Sequence, residues 1–113
     1  MTTDKELLEL AAQACGITGS YVENHKICGD CGVGRYTGIL ISKDQCWNPL
    51  VDAGDTFYLA AYLRISLRYN EFADTVTAYN DLMAQELSYE DDVASAAQRA
   101  VVLVAAEVGR GLK

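Results

Sequence analysis

Two alternating segments set the fold class, Ile65-Ser66-Leu67-Arg68-Tyr69-Asn70 and Asp74-Thr75-Val76-Thr77-Ala78-Tyr79. Apolar and polar side chains alternate in both segments, which is typical of a strand with one buried face. Because only residues 71–73 link them, the two strands are predicted to pair antiparallel. The residues that follow, 80–89, fit either a short strand or a helical turn.

A long helix is predicted after these strands, and it carries one apolar stripe at helical spacing. The stripe consists of Val93, Ala97, Ala100, Val101, Val104 and Val108. Ser88 and Asp91 have the spacing of a capping box at the start of this helix. Gly109 and Gly111 are expected to end it.

Two further helices begin at recognisable capping residues. Thr3 and Glu6 form a capping box before residues 4–15, where apolar residues recur at helical spacing. Asp52 is a suitable N-cap for a second, short helix over residues 53–63.

Between these two helices the sequence favours β structure. Residues 21–28 alternate in part, and residues 36–42 are rich in β-branched and apolar side chains. The glycine-rich segment 29–34 between them suits a hairpin turn. The predicted order is α-β-β-α-β-β-α, an α+β fold with an antiparallel sheet of about four strands and three helices. The length of 113 residues fits a single globular domain over residues 1–113.

Charge and hydropathy exclude several classes of function. Nine Lys and Arg residues against sixteen Asp and Glu residues give a formal net charge of −7. A protein this acidic repels phosphates, so direct binding of nucleic acid is not expected. The apolar run 101–106 is far shorter than a membrane span, and the N-terminal residues lack the pattern of a signal peptide. We therefore expect no membrane association and a location in the cytoplasm, where cysteines stay reduced.

Four cysteines raise the question of a metal site. Cys28 and Cys31, separated by two residues and followed by glycine, resemble the turn of a zinc knuckle. Further ligands would come from His25, Cys46 or Cys15. A second motif of this kind is missing, so reduced thiols at a hairpin tip are the favoured interpretation. A redox pair is a third possibility, but the strand-to-helix context of such pairs is absent.

Tyrosines and carboxylates suggest a surface for a protein partner. The chain has seven Tyr and two Phe, and Tyr58 and Tyr62 are i,i+4 neighbours on the second predicted helix. Tyrosine is enriched at interfaces, and nearby carboxylates attract a basic partner. The predicted partner-binding residues are Tyr58, Tyr62, Asp55 and Asp30. In the alternative interpretation the rings edge the core with their hydroxyls in water, and Asp55 serves the helix start.

The segment Trp47-Asn48-Pro49-Leu50-Val51-Asp52-Ala53-Gly54-Asp55 resembles a recurring segment in small accessory proteins of tailed phages and prophages, the phage ABA-sandwich group. Residues 6–12 and 99–109 resemble the two terminal helices of that group. The resemblance implies a phage accessory gene and a helix–sheet–helix layering. It implies no activity, because the group has no assigned catalytic residues. The cysteine-bearing hairpin and the tyrosine-rich strands depart from the pattern of the group.

Two classes of function follow. We expect a non-catalytic phage protein that needs no cofactor, acts in the host cytoplasm and binds a basic host protein, with inhibition of an antiviral defence component as one possible role. The alternative is a small zinc-binding or enzymatic domain built on Cys28, Cys31, Cys46 and His25. Stoichiometric zinc in the purified protein would favour the second class, and capture of one basic partner would favour the first.

Overall fold

The computed structural model of the chain describes residues 3–29, 32–89 and 92–111. Within these ranges the chain forms three helices and six strands. In chain order they are α1 (Asp4–Ala14), β1 (Ser20–Gly29), β2 (Gly32–Ser42), β3 (Gln45–Trp47), α2 (Ala53–Leu63), β4 (Ser66–Asn70), β5 (Thr75–Tyr79), β6 (Ala84–Ser88) and α3 (Val93–Gly111). The predicted α+β class with antiparallel strands and three helices is confirmed. The order is α-β-β-β-α-β-β-β-α, with two strands beyond those predicted.

The strands form two antiparallel sheets, and not one sheet of four strands. The first has the order β1-β2-β3 and the second the order β4-β5-β6. The two additional strands are β3, which has three residues, and β6, which lies in the segment that fitted either a strand or a helical turn. In the second sheet Val76 pairs with Tyr69 on one side and Leu87 on the other. These side chains share one face of the second sheet. The helix α3 packs against the strands β5 and β6 of this sheet.

The helix α3 lies at the centre of the hydrophobic core. It packs against α1, α2, β5 and β6. Its buried residues are Ala97, Ala100, Val101, Val102, Val104, Ala105, Ala106 and Gly109. The same core cluster includes Leu8 of α1, Trp47 of β3, Leu59 of α2 and Ala78 of β5. None of the three described helices has the combination of length and apolar composition that a membrane-spanning helix requires.

Of the two glycines expected to end α3, Gly111 is the last residue of the helix, as predicted, whereas Gly109 lies inside it. Gly109 is buried where α3 meets α1. A Cβ atom at this position would overlap the carbonyl oxygen of Leu10. The glycine therefore serves the close approach of two helix backbones and does not serve as a stop signal.

The helix starts agree with the sequence at α1 and α2 and differ at α3. Thr3 Oγ1 accepts a hydrogen bond from the Glu6 N–H at 3.2 Å, and Asp52 Oδ1 accepts one from the Asp55 N–H at 2.9 Å. The predicted capping role of Ser88 is wrong, because this residue ends β6. Asp92 caps α3 instead, and its carboxylate accepts hydrogen bonds from the backbone N–H and the hydroxyl of Ser95 at 3.1 and 2.8 Å. Asp91 lies outside the described residues.

Candidate functional site

The helix α2 presents an aromatic surface to solvent. Within α2, all of whose residues are described, Leu59 is the one buried side chain. Phe57, Tyr58 and Tyr62 are 75%, 50% and 55% exposed. The ring centroids of Tyr58 and Tyr62 lie 6.1 Å apart and the ring planes are tilted by 35°, as i,i+4 neighbours allow. Tyr58 and Tyr62 are neighbours, and Phe57 points about 100° away from Tyr58 around the helix. These three exposed residues together are called the α2 aromatic face below, and exposed apolar area of this kind is typical of an interaction surface.

The turn before α2 attaches this helix firmly to the first sheet. The Asn48 side chain is buried; its Nδ2 donates to the Thr37 carbonyl at 2.7 Å and its Oδ1 accepts from the Leu50 N–H at 2.9 Å. Thr56 Oγ1 of α2 donates to the Pro49 carbonyl at 2.6 Å. Because both polar atoms of the buried amide are paired, the turn is held in one conformation. The turn therefore fixes the position of the α2 aromatic face relative to the first sheet.

A groove of about 340 Å³ lies between α2 and the first sheet. It is lined by Ile17, Ile41, Gln45, Trp47, Asp55 and Tyr58. Ile41 is the extra residue of a bulge in β2, between the Leu40–Cys46 and Ser42–Gln45 pairs. Bulges redirect side chains, and here the redirected side chain lines the groove. The groove below means the space lined by these six residues.

Asp55 supplies the negative charge of the groove. Its side chain is half-buried, and Oδ2 accepts a hydrogen bond from the Asn48 N–H at 2.9 Å. Burial raises the pKa of Asp55 above its ordinary value; the Asn48 N–H opposes this rise and the charge of Asp52 adds to it. Neither of the two ion pairs within the described ranges includes Asp55. The groove thus holds a partly desolvated carboxylate without a neighbouring cation among the described residues.

Trp47 is the most deeply buried of the aromatic groove residues. It is 3% exposed, so the sole tryptophan is part of the hydrophobic core. Its Nε1 atom is buried and has no hydrogen-bond acceptor within the described residues. An unsatisfied buried donor of this kind costs about 1–3 kcal/mol. Because Trp47 lines the groove, a movement of the groove wall that uncovers Nε1 would let a ligand accept its hydrogen bond.

The two cysteines whose side chains are described are poorly suited to chemistry. Cys15 is buried and its thiol donates to the Ala11 carbonyl at 3.4 Å. Burial raises the pKa of Cys15, and burial followed by the negative charge of Asp55 raises the pKa of Cys46. The thiolate is the form that attacks substrates and binds metals. Both thiols are therefore held in the less reactive protonated form.

The register of the first sheet separates two of the predicted zinc ligands. His25 pairs with Tyr36 and Cys46 pairs with Leu40, on opposite sides of β2. Four residues of strand span about 13 Å, whereas the donor atoms of one zinc site lie about 4 Å apart. Within the described residues no group of three or more potential ligands could hold an ion.

The remaining zinc candidates stay a prediction. Cys31 and the side chain of Cys28 lie outside the described residues, as does Asp30, which was predicted to bind a partner. Of the other predicted partner-binding residues, Asp55 and Tyr58 line the groove together. Tyr62 lies beside Tyr58 on the α2 aromatic face.

Several residues of this site were not identified from sequence. Phe57 was not among the predicted partner-binding residues, although its position next to Tyr58 was an available signal. Ile17, Ile41 and Gln45 come from loop and strand positions that reach the groove through the sheet bulge and the packing of α2. No family model, curated protein or solved structure matches this chain.

Proposed function

We propose that this chain is a non-catalytic, phage-encoded accessory protein that binds a basic protein of its host bacterium. The candidate partner in this proposal is a component of an antiviral defence system. The proposal is carried by the α2 aromatic face, where three large rings are exposed on a helix that is fixed to the core by Leu59 and the preceding turn. Aromatic side chains on a rigid support are the usual anchors of a protein interface.

Charge supports a basic partner. The net charge of the chain is −7, and Asp52 and Asp55 stand at the start of α2 beside the exposed rings. Complementary charge accelerates association and disfavours acidic partners such as nucleic acid. A basic protein surface therefore matches both the rings and the carboxylates of this region.

The phage assignment and the absence of catalysis in this proposal rest on sequence and chemistry. The resemblance of residues 47–55 to the phage ABA-sandwich group supports a phage origin, and that group carries no assigned catalytic residues. The protonated thiols of Cys15 and Cys46 support a binding role over a catalytic one.

Capture from a bacterial lysate with matched variants tests the proposal. The bait proteins are the wild type, the double variant Phe57→Ala/Tyr62→Ala and the control Phe72→Ala. Phe72 is fully exposed in the link between β4 and β5, outside α2. We expect the wild type and the control to retain the same basic protein, and the double variant to lose it. The purified partner should then bind more slowly as salt is added, because charge steering is screened.

Two results would contradict the proposal. The first is equal retention by the double variant and the control, which would mean that the α2 aromatic face is not the contact surface. The second is a retained partner that is acidic and insensitive to salt, which would remove the electrostatic argument.

A further inference from the structure

We propose that the groove beside α2 receives a lysine or arginine side chain of the protein partner. The inference rests on the proposed function and names the chemical group that the partner presents. The groove offers one carboxylate from Asp55, one half-exposed aromatic ring from Tyr58 and an aliphatic wall from Ile17 and Ile41. A cation on a flexible apolar stem is complementary to all three.

The carboxylate of Asp55 has an unused oxygen. Its Oδ2 accepts from the Asn48 N–H, and within the described residues no hydrogen bond or ion pair involves Oδ1. A partly buried charge without a partner is costly. An incoming ammonium or guanidinium group would pair with this oxygen, and hydrogen bonds between charged groups are among the stronger ones.

The walls of the groove suit the stem and the charge of such a side chain. Long basic side chains lay their methylene groups along apolar surface while the charged end stays near polar groups, and Ile17 and Ile41 supply that surface. Half of the Tyr58 side chain is exposed, so its ring is available for a cation–π contact. The volume of about 340 Å³ is at the lower end of ligand sites, about 300–1,000 Å³, and admits one extended side chain.

The Trp47 indole favours a peptide over a free amine as the source of the cation. Its buried Nε1–H has no acceptor within the described residues, and Trp47 lines the same groove as Asp55. A peptide carries backbone carbonyls beside each side chain, so it offers an acceptor as well as a cation. Because the nitrogen is covered in the unbound structure, this second contact requires a local movement of the groove wall.

Three blocked tripeptides, with Lys, Arg or norleucine between two glycines, test the inference. Norleucine has the stem of lysine without the charge. The readouts are the fluorescence of the sole tryptophan and the NMR signal of its indole N–H. We expect saturable, millimolar binding of the Lys and Arg peptides and binding of the norleucine peptide that is at least about tenfold weaker.

Two matched variants test which of the two carboxylates at the start of α2 binds the Lys peptide. Asp55→Asn keeps an oxygen for the Asn48 N–H, so it is expected to fold and to weaken the Lys peptide at least about tenfold. Asp52→Asn makes the same change of charge at the same helix start and keeps a good N-cap. We expect the Asp52→Asn protein to bind the Lys peptide as the wild type does.

Equal binding of the norleucine and Lys peptides would overturn the inference, as would equal weakening by the two Asn variants. Self-association that the Lys peptide disrupts would also overturn it, since the lysine would then come from a second copy of the chain. A different result would contradict the proposed function alone. If the Lys peptide binds in an Asp55-dependent manner but lysate capture yields no α2-dependent partner, the groove inference stands and the host-protein proposal does not.

Discussion

The helices α2 and α3 are both rich in apolar side chains, and they use them in opposite ways. The helix α3 carries alanines and valines and buries them against α1, α2 and the second sheet. The helix α2 buries Leu59 and leaves Phe57, Tyr58 and Tyr62 exposed. Small side chains allow elements to approach closely, whereas large exposed rings provide area for an external contact. The kind of apolar side chain therefore separates the helix that packs in the core from the helix that exposes its rings.

The carboxylates at the starts of the two helices also differ, because their pKa values are shifted in opposite directions. Hydrogen bonds from the backbone N–H and then the hydroxyl of Ser95 lower the pKa of Asp92 at the start of α3. Burial raises the pKa of Asp55 in the first turn of α2. The carboxylate of Asp92 stabilises the fold, whereas that of Asp55 is held in a place where its charge is unfavourable. Unfavourable charges of this kind are common at functional sites.

The largest expected effect comes from Trp47, which joins the support of α2 to the core. Trp47→Ala should lower the free energy of unfolding by about 3–5 kcal/mol, because it removes a large and almost fully buried side chain. Urea denaturation followed by circular dichroism measures this change. A loss below about 1 kcal/mol would be close to the effect of an ordinary surface substitution. It would mean that the Trp47 side chain contributes little to the stability of the core.

The contact between α3 and α1 gives the next largest effect. Gly109→Ala should destabilise the protein by about 1–3 kcal/mol, because the new methyl group meets the Leu10 carbonyl. Gly111→Ala is the matched control, since no atom of the described residues lies within 4 Å of a Cβ at that position. Alanine is the better helix former, so the control should be neutral or slightly stabilised. Destabilisation of both variants by the same amount would remove the argument from close approach.

Removal of charge at the two helix starts should change the pH dependence of stability in opposite directions. Because the folded-state pKa of Asp55 is raised, its contribution is greatest below the ordinary value of 3.8 and is lost as the pH rises through the raised pKa. Asp55→Asn should therefore be more stable than the wild type at neutral pH, and the difference should vanish in acid. The folded-state pKa of Asp92 is lowered, so its contribution is present above 3.8 and is lost as the pH falls through the lowered pKa.

Asp92→Asn is consequently expected to be less stable than the wild type at neutral pH, with the difference again closing in acid. Thermal denaturation of the two variants and the wild type, from neutral pH down into strong acid, covers both windows, since the Asp55 window lies above the ordinary value of 3.8 and the Asp92 window lies below it. Shifts of the same sign for the two variants would refute the contrast between the helix starts.

The smallest effects on stability are expected on the α2 aromatic face. Phe57→Ala and Tyr62→Ala should change the free energy of unfolding by no more than about 0.5 kcal/mol, because both side chains are mostly exposed. Thermal denaturation measures this directly. A large drop would show that the rings pack on the core, which was the alternative interpretation of the tyrosines.

The sequence was sufficient where the signal was local. The alternation around Val76, the N-cap at Asp52 and the bounds of α2 were predicted because each depends on neighbouring residues. The strands β3 and β6 were not, since three residues carry no periodicity and residues 80–89 fitted two structures. Gly109 was misassigned because its role depends on Leu10, a residue at the other end of the chain.

The candidate site was predictable in part for the same reason. Asp55 and Tyr58 share α2, so their proximity followed from helix geometry. Ile41 reaches the groove through a bulge in β2, and the pairing that creates this bulge cannot be read from the spacing of residues. The groove is a product of tertiary structure, whereas the aromatic face is a product of one helix.

The packing of α1 against α3 has a consequence for folding during synthesis on the ribosome. The helix α1 is made before α3, and α3, which packs against it, begins only at Val93. At roughly 5–20 residues per second, translation leaves the apolar side of α1 uncovered for several seconds. During that interval Leu7 and Leu8, almost fully buried in the finished fold, form an exposed stripe that chaperones can bind. Slow translation of the segment between the two helices should therefore increase the dependence of this chain on chaperones.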